Sequence, residues 1–414
     1  MLVSTALVLL MTPALALLYG GLVRGKNALN TMLMSFSALA FVGVGWALLG
    51  YTLAFGDGGP WLGGLRHALL QGVGLEAKGT IPHLLFLAFQ GTFAIIAAAL
   101  VSGAIVERMR FPAYLAFLIL WGLLVYAPLA HWVWGGGFLG ALGALDFAGG
   151  TVVHINAGVA GLVAALVLGP RKDYGRQAIL PHNIPLSLLG AALLWFGWFG
   201  FNGGSALAAN GIATLAFANT FLAPMATLVV WLLLDLFRTG KATAVGTATA
   251  IVVGLVAVTP AAGFVSPLSA LVLGAFSAFP SYFALLLRAR TRLDDSLDVF
   301  AAHGVAGMVG ALLTGILAEK AWSGAADGLL FGNPAQLGVQ ALTVGVAALY
   351  SALATFVLLK AIALLTPLRT SPKEEGLGLD VTQHGEEAYA SGEGAVLVLP
   401  EAAPPALKPK GGKA

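Results

Sequence analysis

Eleven apolar runs, each long enough to cross a bilayer, follow one another along the chain. A hydrocarbon core about 30 Å thick takes roughly 20 residues of helix to cross. It offers the backbone no water, so a chain threaded through it must satisfy its amides within helices. The runs cover residues 2–23, 28–55, 81–106, 112–133, 150–169, 184–203, 211–237, 242–262, 267–287, 299–318 and 336–365. Residues 366–414 are polar, contain Pro and Gly, and fall outside the membrane. Composition agrees: 59% of the residues are hydrophobic and 9% charged, where water-soluble chains carry about 25% charged residues. The chain is therefore an all-α polytopic membrane protein. Residues 1–16 look like a signal peptide but lack a positive start, and their apolar run continues to Val23, so they are read as the first span. With no cysteine in the chain, disulfides and thiolate metal sites are excluded.

The basic residues set the orientation. Connections after odd-numbered runs hold Arg24, Lys26, Arg108, Arg110, Arg171, Lys172, Arg176, Arg238, Lys241, Arg288, Arg290 and Arg292. Connections after even-numbered runs hold only Arg66, Lys78 and Lys320. The richer side is cytoplasmic, so the N-terminus is outside and the C-terminus inside. The high isoelectric point thus reflects topology, not nucleic-acid binding.

A duplicated motif divides the chain. His154 and His303, 149 positions apart, each open the pattern H-x-x-A-G-x-x-G, and an aspartate stands eight residues before each, Asp146 and Asp295. His154, Gly158 and Gly161 share a helix face, as do His303, Gly307 and Gly310. Glycines on a face let another backbone come close. A titratable group at membrane depth is a functional candidate by default. Each motif helix closes a block of five runs. Five is odd, so the second block is inverted, and an inverted repeat places a transporter's site near the midplane between the halves. The expected organisation is a membrane domain over 1–365, with halves at about 1–169 and 184–318 and an extra helix at 336–365, then a cytoplasmic tail over 366–414. Drawn as full spans, the histidines fall on opposite sides of the membrane. They meet only if both helices start at depth, after re-entrant backbone at about 135–149 and 293–298. Asp146 then caps the bare amides of Gly149, Gly150 and Thr151, or ligates a cation directly.

Aromatic residues gather elsewhere in the pattern. F-Q-G-T-F puts Phe89 and Phe93 at i, i+4 in the third run. W-F-G-W-F-G-F-N-G-G-S-A crowds Trp198, Phe201, Asn202 and Ser205 onto one face of the sixth. Trp134 lies just outside a membrane end. Trp61 and Trp132 read as lipid belt or core.

In their order these segments resemble the ammonium transporter (Amt/Mep/Rh) family, bacterial Amt branch. The likeness runs through A-L-L-Y-G-G-L-V-R-G-K-N, F-Q-G-T-F, V-E-R-M-R-F, A-H-W-V-W-G-G-G, D-F-A-G-G-T-V-V-H-I-N-A-G, W-F-G-F-N-G-G-S-A and H-G-V-A-G-M-V-G to the tail segment G-L-D-V-T-Q-H-G-E-E-A-Y. The resemblance implies a trimer of eleven-helix subunits in the cell (inner) membrane, each with its own narrow pore. It implies an outer cation site at Trp134, Phe93 and Ser205, a gate of stacked rings at Phe93 and Phe201, and a hydrogen-bonded histidine pair, His154 and His303, lining the pore. Asp146, Asp295, Phe89, Trp198 and Asn202 support these groups. It further implies ammonium, with methylammonium as analogue, as substrate, and a cytoplasmic tail able to dock a PII-type signal protein. No cofactor or metal is expected. The Rh branch usually lacks the vestibule tryptophan and serine.

The chemistry fits independently. Pores selecting metal cations use carboxylate rings or backbone carbonyls, whereas only Asp146 and Asp235 approach membrane depth here. A cation over aromatic rings gains about 0.5–2 kcal/mol, too little to hold a bare ion in a dry pore. Ammonium can leave its proton behind and cross as ammonia; K⁺ cannot. Paired imidazoles can pass a proton along. Two alternatives stand beside this reading: an electroneutral gas channel of the Rh type, and an ammonium sensor signalling through the tail. The chain contains neither H-E-x-x-H nor G-x-S-x-G, so it is not expected to be an enzyme. The segment at 378–389 is expected to pack on the inner connections, and residues beyond about 392 to be disordered.

Overall fold

A computed structural model describes residues 1–389. The expected disorder beyond residue 392 lies outside the described residues. Ten helices are long and apolar enough to span a membrane and an eleventh is shorter. We label them α1 (Leu2–Leu22), α2 (Gly25–Phe55), α3 (His83–Ala104), α4 (Phe111–Ala141), α5 (Gly150–Leu168) and α6 (Ile184–Gly204), then α7 (Gly211–Thr239), α8 (Ala244–Val258), α9 (Pro267–Arg288), α10 (Phe300–Leu317) and α11 (Pro334–Leu365). The eleven-helix count holds among the described residues.

Helix α8 ends earlier than its hydropathy suggests. Pro260 has no N–H to donate back into the helix, and the helix stops at Val258, with Thr259 still helical in φ and ψ. Its 15 residues rise only about 22 Å, short of a full crossing. The chain then turns through 259–265, and Pro260 O accepts from Phe147 N at 3.1 Å. The stretch before α5 therefore rests on the stretch after α8. Helix α4 is interrupted where its apolar run was expected to end. It breaks after Trp134 at Gly135–Gly137 before a last short turn, Phe138–Ala141.

The two halves meet along glycines. A side chain at Gly158 would strike the backbone of Gly304, and one at Gly307 would come within 3.2 Å of Ile155 N. Gly158 corresponds to Gly307 across the repeat, and Ile155 to Gly304. The contact of α5 with α10 is thus the same contact made twice, as a two-fold axis between inverted halves requires.

A buried ion-pair lattice ties the inner ends together. Glu107 is fully buried. It meets Arg24 at 3.1 Å and Arg171 at 2.7 Å, and Arg171 also reaches Asp294 at 2.8 Å. Burial pushes the Glu107 carboxyl up, but Arg171 and Arg24 outweigh it and hold the group below the usual carboxylate range. The tail joins this lattice. Asn27 donates to Glu107 at 2.8 Å and accepts from Leu379 N at 2.8 Å. Asp380 accepts from Leu29 N at 3.0 Å and Asn30 N at 2.8 Å, capping the start of α2. Tyr389 Oη lies 3.0 Å from His182. Residues 378–389 thus pack on the inner connections.

Bonds to a charged group contribute about 1.5–3 kcal/mol each. Asp380→Ala is therefore expected to raise tail opening by about tenfold or more. Protease added to inside-out vesicles should cut 378–389 correspondingly faster; an unchanged cleavage rate would show that Asp380 does not hold the tail.

Candidate functional site: the histidine pair and its aromatic roof

The site begins where α5 and α10 begin. His154 is the fifth residue of α5 and His303 the fourth of α10. Each helix therefore starts only about 5–6 Å of rise before its histidine. That is how residues that full spans would place on opposite sides of the membrane come level. His154 Nδ1 and His303 Nδ1 lie 3.2 Å apart, with ring planes 18° apart and centroids at 5.3 Å. Both histidines sit in π-helical turns, Gly150–Ile155 and Phe300–Val305. Such turns are wider than α-helix and often mark functional sites.

Each start is capped by its aspartate. Asp146 accepts from Gly149 N at 2.9 Å, Thr151 N at 2.9 Å and Val152 N at 3.0 Å. Asp295 accepts from Val299 N at 3.1 Å and Phe300 N at 2.7 Å. The carboxylate satisfies amides that no preceding turn can reach and complements the positive end of the helix dipole. Three residues after each aspartate the backbone turns left-handed, at Gly149 (φ 109°) and Asp298 (φ 58°). The same bend is made twice, once with glycine and once with an aspartate.

Above the histidines lies an aromatic roof. Phe93 and Phe201 stack with centroids 4.1 Å apart and planes 19° apart. Phe89 meets Phe93 at 4.9 Å from the outer side. Trp134 stands edge-on to Phe93 at 6.2 Å and 86°, held by its indole N–H donating to Asp146 O at 2.8 Å. One loop residue thus serves the α5 start with its carboxylate and Trp134 with its carbonyl. Below, Trp198 stacks on His154 at 5.3 Å and 16°, and its indole N–H donates to Thr259 Oγ1 at 2.9 Å. His154 is therefore packed between His303 and Trp198, with Phe201 at 6.0 Å. His154 Nε2 is buried and meets no protein partner.

Ser205 follows the end of α6, one turn outward of Phe201, and its hydroxyl donates to Phe201 O at 2.8 Å. Asn202 is buried and ties α6 to its neighbour. Its amide donates to Thr220 Oγ1 in α7 at 2.8 Å. It lies at the edge of the face that the helical wheel drew. Trp61 and Trp132 pack together and with Phe138, away from the stacked rings.

Several supporting residues escape a reading of the sequence. Gln340 in α11 accepts from Leu145 N at 2.8 Å, and donates to Leu145 O at 2.8 Å and Ala311 O at 3.0 Å. Gln336 donates to Gly143 O at 3.0 Å. Arg108 donates to Asp294 O at 2.6 Å. The available signal was two amides four residues apart in an apolar span, where polar side chains act as interhelical ties. No cluster of three or more His, Asp or Glu with metal-holding geometry occurs among the described residues.

Comparison with known proteins follows the same line. A family model described as Ammonium Transporter Family matches residues 1–389. An ammonium transporter of Bacillus subtilis (strain 168) is 49% identical over 388 residues, covering 92% of this chain and 96% of its own. The crystal structure of Candida albicans Mep2 superposes with a TM-score of 0.85 at 36% identity, covering 90% of this chain and 85% of its own. A structure described as a sensor Amt protein gives a TM-score of 0.85 at 31% identity, covering 92% of this chain and 96% of its own.

Proposed function

The chain belongs to the ammonium transporter family, a multi-pass transporter of the cell membrane, and from that premise we propose how it handles its substrate. Ammonium is captured at an outer vestibule formed by Trp134, Phe93 and Ser205. It gives up its proton there, and ammonia passes the Phe93–Phe201 gate to the histidine pair. The observation that carries this reading is the contact of His154 with His303 at 3.2 Å beneath rings stacked at 4.1 Å. The path so formed has imidazoles and aromatic faces but no carboxylate ring. Cation–π attraction of about 0.5–2 kcal/mol concentrates ammonium at the mouth and cannot replace the hydration of an ion farther in. The neutral molecule crosses, and the proton either returns outside or follows along the imidazoles. Two imidazolium ions this close repel in a low dielectric, so the pair carries at most one added proton. Family membership supports a homotrimer, and the docked tail forms a surface suited to a PII-type signal protein.

Purified protein in a planar bilayer tests the charge carried. Current with ammonium and none with K⁺ supports the relay. Ammonia flux without current favours an electroneutral gas channel instead. The likeness to a sensor Amt protein keeps a signalling role open, and slow flux in proteoliposomes would favour it.

Trp134→Leu removes the edge-on indole and its bond to Asp146 O, and leaves the Asp146 carboxylate capping the start of α5. Loss of a cation–π contact should raise the half-saturation for methylammonium by about threefold to thirtyfold. An unchanged half-saturation would remove Trp134 from the capture site.

A further inference from the structure

The symmetry that pairs the histidines reaches one residue beyond the capping aspartates. Leu145 and Asp294 stand 149 positions apart, immediately before Asp146 and Asp295. Each has its backbone carbonyl gripped by a side chain from a distant part of the chain. Gln340 Nε2 holds Leu145 O at 2.8 Å, and Arg108 Nη2 holds Asp294 O at 2.6 Å. Both gripping side chains are fully buried. Each also ties its segment to a spanning helix. Gln340 reaches Ala311 O in α10 at 3.0 Å, and Arg108 reaches Ala104 O at the end of α3 at 2.9 Å. The two grips differ in chemistry, an amide outside and a guanidinium inside, but they act on equivalent atoms.

A local cap cannot do this work. Asp146 and Asp295 satisfy amides within their own turns and leave the entering backbone free to ride up or down. The depth at which each helix begins needs a tie to something outside the turn. That depth matters because the Nδ1 atoms are 3.2 Å apart, already at the long end of hydrogen-bond range. A relative slide of about 0.5 Å would end the contact, and sites of this kind need their supporting groups held to about that tolerance.

We propose that Gln340 and Arg108 are paired positioning residues that fix where α5 and α10 begin, and so hold His154 against His303. The inference rests on the reading that these two rings line the conduction path. The outer anchor has a second consequence that the inner one lacks. Leu145 adjoins Asp146, whose carbonyl holds Trp134 at 2.8 Å. Loss of Gln340 therefore disturbs capture as well as conduction, whereas loss of Arg108 disturbs conduction alone.

The experiment is methylammonium uptake by proteoliposomes, normalised to protein that elutes as folded assembly. Gln340→Met loses three side-chain bonds to backbone and should lower the maximal rate by about tenfold and raise half-saturation by about fivefold. Arg108→Met should lower the maximal rate similarly and leave half-saturation within about twofold of the parent. A side chain that merely stabilised the fold would reduce the yield and leave the half-saturation of the surviving protein alone. Parental rates in both variants, or equal half-saturation shifts in both, would overturn the proposal. If either variant fails to fold, Gln336→Met carries the outer half of the test. It removes the bond to Gly143 O and a longer one to Gln340 Oε1 at 3.5 Å, and should raise half-saturation by about twofold to threefold; no change there would overturn the outer anchor. Were His154→Ala to transport normally, the reading beneath would fail. Were the histidine variants impaired and the anchor variants not, only the anchors would fail.

Discussion

Asp146→Ala is expected to abolish transport and to lower the stability of the folded protein substantially. The carboxylate accepts three backbone bonds at 2.9–3.0 Å, and the residue is only 5% exposed. Removing one partner leaves a buried donor unsatisfied at about 1–3 kcal/mol, and three donors lose theirs together. The total, at least about 3 kcal/mol, is a large fraction of ordinary folding stability. The loss also frees the α5 start that carries His154. Asp295→Ala should do less, because two bonds are at stake. Asp146→Asn keeps one acceptor and should fall between. Thermal unfolding of the detergent-solubilised protein, with methylammonium uptake alongside, checks the ranking. Were Asp146→Ala as stable as the parent but unable to transport, Asp146 would act as a direct cation ligand and not as a cap.

That choice between cap and ligand shows where the sequence was legible. The His-and-glycine motif needed no structure, because a repeated helical face in an apolar run leaves a periodic trace. It showed the two helices, their inversion, and the need for both to start at depth. The stop of α8 at Val258 was missed, because hydropathy carried the run to residue 262 across Pro260. The π-turns at Gly150–Ile155 and Phe300–Val305 were not legible, since hydropathy does not distinguish a slightly wider turn from an α-turn. The partner of Asn202, Thr220 in α7, was not legible, because a helical wheel gives a residue's angle and not its neighbour. The partners of Gln340 and Arg108 could not be read for a plainer reason. They are backbone carbonyls nearly 200 residues away, and a carbonyl has no letter in the sequence.

The second large effect concerns the pair itself. Each imidazole partly satisfies the other in an apolar setting, so removing one leaves its partner short of a bond at about 1–3 kcal/mol. The fold should survive that. Conduction should not, because the remaining ring has no neighbour to pass a proton to. A cavity opened by the lost ring can instead admit water, and then K⁺ no longer meets the full dehydration cost. Both outcomes lower the preference for ammonium. The deciding measurement is bilayer current with ammonium and with K⁺ for His154→Ala, His303→Ala and the double variant. The ratio of ammonium to K⁺ current should fall by at least about tenfold in each, a change of about 1.4 kcal/mol between the two barriers. Parental currents in both salts for all three variants would contradict the relay and leave the two histidines as packing alone.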